Sequence, residues 1–225
     1  MKKTIPFCIL FLVLAATNTT VAQQHEYMPQ WYISSGFGRA IFEDYVNSEG
    51  ENILDNTGYA SQEGPVWEAG YRFDIYRGRV KFETGLLYHK HEINTSFRSG
   101  NIRIPTTYNL SYVGFKFGFR VNLLRWKKLK LQVHTHFSRD WLIYGTNRFP
   151  EVFIDIYKER TLDRALLNLH EGFGIEYQMW DNISTSLFYN RTTNYKEGNQ
   201  DSTDGEKYLL KTQAISLGIQ FDIPN

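Results

Sequence analysis

The feature that most constrains this chain is its closing segment. Ile215, Leu217, Ile219, Phe221 and Ile223 alternate with Ser216, Gly218, Gln220 and Asp222. Every odd position is large and apolar, and every even one is small or polar. An unbroken period of two is the mark of a β-strand with one apolar face. The same period runs through Val113, Phe115, Phe117, Phe119, Val121 and Leu123, against Gly114, Lys116, Gly118, Arg120 and Asn122. It recurs in Trp67, Ala69, Tyr71, Phe73 and Ile75, and in Phe173, Ile175, Tyr177 and Met179. Weaker alternation in residues 31–41, 80–91, 129–143 and 183–195 raises the predicted count to eight strands. A further extended piece is open within residues 153–158.

The links between these strands come in two lengths. Tyr76-Arg77-Gly78, Arg125-Trp126-Lys127-Lys128 and Trp180-Asp181-Asn182 are short. Residues 42–64, 94–106, 146–164 and 196–206 are longer and rich in solvated loop residues. Strict alternation of short turns and long loops fits an all-β, eight-stranded antiparallel up-and-down transmembrane β-barrel, with short periplasmic turns and long outer loops.

A soluble barrel or sandwich alternates as well, so the content of each face has to decide. The minor face carries Gly70, Gly85, Gly114, Gly118, Gly172, Gly174 and Gly218 beside charges. Small residues suit the narrow interior that eight strands leave. The bulky face suits lipid. Of the five tryptophans, Trp31, Trp126 and Trp180 fall at the short-turn end, and Trp67 and Trp141 near the long loops. Tyr88, Tyr108, Tyr144, Tyr189 and Tyr208 also lie toward the loops. Paired aromatic girdles of this kind belong at membrane boundaries. Mean hydropathy is −0.43, and no apolar run after the N-terminus is long enough for a spanning helix.

Residues 1–22 read as a cleaved signal peptide. Met1-Lys2-Lys3 is a positive start, residues 5–16 are an apolar run, and Thr20-Val21-Ala22 supplies small residues for cleavage before Gln23. Residues 23–225 are then one barrel domain in the bacterial outer membrane. Cleavage removes Cys8, the only cysteine, so no disulfide is expected. The 25 lysines and arginines less Lys2 and Lys3 stand against 24 acidic residues. That balance gives no reason to expect a nucleic-acid partner.

Several runs resemble a known family. They are Phe82-Glu83-Thr84-Gly85-Leu86-Leu87-Tyr88, the stretch from Tyr108 to Arg120, Gly172-Phe173-Gly174-Ile175-Glu176-Tyr177 and Leu187-Phe188-Tyr189-Asn190. With the closing Ile215-Ser216-Leu217-Gly218-Ile219-Gln220-Phe221, they are similar to the outer membrane protein beta-barrel domain family, which includes PorT-like proteins. The resemblance implies a barrel in contact with outer-membrane lipid and delivered by the barrel-assembly machinery. It also allows partners from a secretion complex. Such barrels often close on an aromatic residue. Here Asp222-Ile223-Pro224-Asn225 follows, so Phe221 has to serve, or the signal differs.

Three constellations could carry chemistry. The inferred inner face holds Glu68, Arg72, Glu83, Lys116, Arg120 and Glu176, with Asp74 and Lys81 beside them. Charges of both signs in a narrow lumen should pair with one another and plug it, since buried ions need partners. A polar path for a small solute is the competing reading. The pairs His89/His91 and His134/His136 each share a face, but no further ligand at suitable spacing completes a metal site. His136-Phe137-Ser138 resembles the His and Ser of lipid A deacylases, although Arg139 follows where that family places Asn. Both residues also fall on the inner face, whereas that chemistry works from the lipid side. No phosphate-binding loop or dinucleotide fingerprint occurs, and no cofactor or catalytic residue is expected.

The expected role is non-enzymatic: a plugged barrel acting through its outer loops in envelope integrity or in ligand and surface binding. The alternative is a PorT-like barrel subunit of a secretion or envelope-assembly complex. A remote alternative is a lipid A hydrolase using His136 and Ser138.

Overall fold

A computed structural model describes residues 29–46, 51–54, 61–99, 102–150, 152–159, 162, 164–194 and 207–223. The proposed signal peptide lies outside the described residues. The strands are β1 (Gln30–Val46), β2 (Glu63–Tyr76), β3 (Val80–Ser99), β4 (Ile102–Trp126) and β5 (Leu129–Arg148). A short β6 (Phe153–Asp155) and a single helical turn, α1 (Ile156–Glu159), precede β7 (Ala165–Trp180), β8 (Ile183–Asn194) and β9 (Lys207–Asp222). No described helix is long and apolar enough to cross a membrane.

Every pairing is antiparallel, and β1 pairs with both β2 and β9. The ladder runs on through β3, β4, β5, β7 and β8 and returns to β9, so eight strands close into a ring. Closure pairs each of the eight ring strands with a neighbour on both sides. Register partners can be followed around the ring from Gln30 to Arg72, Glu83, Gly118, His136, His170, Thr192 and Thr212. The path returns to Ala40, ten residues up the starting strand. That stagger tilts the strands and sets the barrel's width.

Alternation now has a direction. Phe115, Phe117 and Phe119 are 45%, 46% and 47% exposed, while Lys116 and Arg120 between and beside them are each 3% exposed. The bulky apolar face points out and the charged face points in, the reverse of a soluble barrel. All five tryptophans are exposed on the outer face. An outward apolar surface of this extent is far beyond what a soluble monomer shows. Tyr144 and Tyr189 also face outward, but Tyr108 and Tyr208 are buried inside. The expectation that these two belong to the loop-side girdle is corrected.

The turns at the tryptophan-rich end are tight. Arg77 and Gly78 have φ of 46° and 64°, and the Arg79 N–H donates to the Tyr76 carbonyl at 2.8 Å. Positive φ at both central residues gives a turn whose twist matches the flanking strands. At the opposite end the strands run on. β4 has 25 residues, whereas about 9–11 tilted residues cross a bilayer. The expected loop over 94–106 is therefore mostly strand, with Asn94 pairing Thr107 and Ser99 pairing Ile102. Here the inner face turns apolar. Phe42, Tyr45, Ile93, Tyr108, Leu110 and Tyr112 form part of a buried core that caps the lumen.

Candidate functional site

Among the described residues, chemically capable side chains converge in the interior. Alternation aims Glu68 and Arg72 of β2, Glu83 of β3, Lys116 and Arg120 of β4 and Glu176 of β7 into the lumen, and the stagger brings them to one level. Glu83 is the hub. It accepts from Arg72 Nε at 2.6 Å, Arg120 Nε at 2.8 Å and Lys116 Nζ at 2.9 Å. His136 Nε2 lies 3.5 Å from the same carboxylate. Lys116 also reaches Glu68 at 2.5 Å. Glu176 joins through Arg72 Nη1 at 3.8 Å and accepts from Lys130 Nζ at 2.6 Å. All six residues therefore lie in one connected network.

Physical necessity accounts for its density. Glu83 and Glu176 are fully buried. An isolated buried charge costs several kcal/mol even after relaxation, and only close, well-hydrogen-bonded partners offset that. Aromatic faces add to the pairing. Arg72 lies over Tyr32 at 4.4 Å and Arg120 over Phe188 at 4.0 Å, within the range of cation–π attraction. Toward the short turns, Lys81 donates to Gln30, and Gln132 Nε2 donates to Asn122 at 2.6 Å and to Glu176 at 3.1 Å. The space that remains is small. A cavity bordered by Ser34, Glu68, His134, His170, Ser186 and Asn190 has about 20 Å³ open to the centre of a water molecule. That is room for about one water.

A second cluster lies toward the loops, and the sequence did not reveal it. His89 and His91 are joined at 2.7 Å, and His89 Nε2 is 3.1 Å from Asp140 Oδ2. Asn168 donates to the same carboxylate at 2.5 Å. His170 sits between two hydroxyls, with Ser138 Oγ 2.7 Å from Nε2 and Thr192 Oγ1 2.8 Å from Nδ1. Asp140 and His170 share the inner parity of their strands. Their proximity depends on the β5–β7 register, which places His136 opposite His170 and which no local pattern encodes.

This geometry bears on both chemical readings. Ser138 pairs with His170 and not with His136, and it is fully buried in the lumen. His170 turns its other nitrogen to a hydroxyl, whereas a hydrolytic base needs an orienting acid there. The His134 and His136 rings lie 4.8 Å apart between centres, tilted by 30°. Among the described residues, no three His, Cys, Asp or Glu side chains are arranged to hold a metal ion.

A search of curated proteins finds no match. Among solved structures, Neisserial surface protein A shares 11% identity, with 86% of this chain and 97% of that one covered, at a TM-score of 0.46. OprG of Pseudomonas aeruginosa shares 11% identity over 89% and 99% of the two chains, at 0.45. The outer membrane protease OmpT of Escherichia coli shares 7% over 90% and 100%, at 0.48. The family described as "Outer membrane protein beta-barrel domain" matches residues 9–222. That match spans nearly the whole chain and implies a place in the bacterial outer membrane, so this protein belongs to the outer membrane protein beta-barrel domain family.

Proposed function

We propose that this chain is a non-enzymatic outer-membrane barrel with a closed lumen, acting through its outer loops in envelope integrity or in binding ligands or surfaces. One observation carries the reading. The Glu83 network fills the waist, the aromatic core caps the loop end, and the cavity beside Glu68 and His170 has room for about one water. A lumen so filled offers no path to a solute and no access to Ser138. Activity then belongs to the long β3–β4 hairpin and its neighbours, which project past the lipid-facing belt.

The test is complementation of cells lacking the protein. One variant replaces residues 94–107 by a two-residue turn, and a second carries Ser138→Ala. The reading predicts that the shortened hairpin abolishes surface binding and raises detergent sensitivity while the barrel still shifts mobility on heating. It predicts unchanged lipid A acylation for Ser138→Ala. Full activity of the shortened hairpin, or a gain of acyl chains on lipid A in Ser138→Ala cells, overturns it.

A second reading, a PorT-like subunit of a secretion or assembly complex, draws support from the loop end. Ile102, Val152 and Phe153 are 68%, 54% and 67% exposed there, as residues awaiting a protein partner would be. A stoichiometric partner retained in mild detergent would favour it. Export with cleavage after Ala22 belongs to either reading, and N-terminal sequencing of the mature protein should begin at Gln23.

A further inference from the structure

Among the described residues, Glu171 and Arg191 are outward charges that face each other on the β7–β8 ladder, whereas Arg139 is an outward charge on the apolar belt with no such counterpart. Arg139 of β5 points away from the lumen and is exposed. Phe137 and Trp141 flank it along the strand, and its register partners are Phe115 on β4 and Leu167 on β7. Among the described residues its guanidinium has no hydrogen-bond or ion-pair partner. A charge beside lipid needs an interfacial location, an anion or both. Trp141, one outward position above it, marks the loop-side boundary of the belt. Lys90 of β3 pairs Ser111, the β4 partner of Tyr144, so it lies two strands away on the loop side of Arg139, toward the headgroups. Lys90 is also outward, exposed and without a described partner.

The surface below Arg139 is equally particular. Phe115, Phe117 and Phe137 form an exposed strip on β4 and β5, with Phe117 and Phe137 ring centres 6.3 Å apart. A smooth aromatic strip accepts acyl chains along its length. A guanidinium at its upper end meets a phosphate at the headgroup level, where its planar fork can bind bidentately.

We propose that Arg139, assisted by Lys90 and lying above the Phe115–Phe117–Phe137 strip, binds the phosphate of an anionic outer-leaflet lipid whose acyl chains run down the strip. The site lies outside the barrel and is separate from the loop role proposed above. The occupant is a phospho-lipid because the two features that define the site, an unpaired cation and an apolar strip below it, match the two halves of such a molecule.

The test uses the purified full chain in detergent micelles, read by native mass spectrometry, with bis-phosphorylated lipid A as the probe. Comparison probes are the same lipid with its phosphates removed and inorganic phosphate alone. The phosphorylated lipid should be retained on the wild-type barrel and the dephosphorylated one lost. Arg139→Gln should weaken retention about fivefold, the value of one surface cation near an anionic headgroup. Arg139→Lys should keep most of it, and Arg148→Gln should leave it unchanged. Equal retention of the two lipids by the wild-type chain overturns the proposal and needs no variant to fold. Undiminished retention by folded Arg139→Gln also overturns it. So would capture of free phosphate without lipid, or a second copy of the chain covering Arg139.

Discussion

Arg72 and Glu83 stand directly opposite each other on the β2–β3 ladder, and Arg72 Nε donates to Glu83 Oε2 at 2.6 Å inside the lumen. Glu83 accepts from two further cations, Arg120 and Lys116, so its removal takes a partner from three buried positive charges at once. Glu83→Ala should destabilise the barrel by about 3–5 kcal/mol, the usual penalty for breaking a buried pair from one side. Urea unfolding in lipid vesicles measures this directly. A loss under about 1 kcal/mol would mean that water already screens the network.

The outward face answers to a different solvent. Phe117 lies in the middle of the belt and is 46% exposed. Phe117→Arg should cost about 2–4 kcal/mol in a bilayer, as charges do near the midplane of a barrel's lipid face. The same substitution at Lys116, which is buried within the ion-pair network, should be better tolerated. A neutral outcome at Phe117 in the same vesicle assay would place that face against water.

Tyr32 explains two glycines. Gly70 and Gly85 are register partners, and a Cβ on either would come within 2.6 Å of the Tyr32 hydroxyl. On Gly85 it would also meet the Ala69 carbonyl at 2.5 Å. Gly85→Ala should therefore overpack the lumen by about 1–3 kcal/mol and lower the temperature of the mobility shift. An unchanged transition would show that both the Tyr32 hydroxyl and the Ala69 carbonyl give way.

Phe42 makes edge contacts with Tyr45, Tyr108 and Tyr208 at 5.8, 5.1 and 5.6 Å. It ties β1, β4 and β9 together above the charged layer. Phe42→Ala should cost about 3–5 kcal/mol and open the loop end to limited proteolysis while the belt stays protected. Identical digestion patterns would remove the aromatic cap from the account.

Much of this could be read from residue order because the membrane imposes period two on every strand. The closing strand and the run from Val113 to Leu123 displayed their faces without ambiguity. Tyr108 and Tyr208 did not, for a physical reason. Past the lipid boundary the outside is water and the inside is the apolar core, so the polarity of the two faces reverses while the parity continues. Tyr108, Leu110 and Tyr112 are inward on the same even positions as Lys116 and Arg120. Read alone, that segment is in the opposite phase. The hairpin beyond Asn94 was hidden by the same reversal, compounded by turn-forming residues such as Ser99. The meeting of His89 with Asp140, and of Ser138 with His170, comes from strand register and stagger, which are properties of the closed ring.

The central claim is that the bulky face meets lipid and the charged face fills a closed lumen. Single cysteines at positions 115–120 of β4, labelled with an environment-sensitive dye in lipid vesicles, test both halves together. The account predicts quenching by brominated lipid at 115, 117 and 119, with 116, 118 and 120 reached by neither lipid nor aqueous iodide. Quenching by iodide at 115, 117 and 119, or ready access of iodide to 116 and 120, would contradict it.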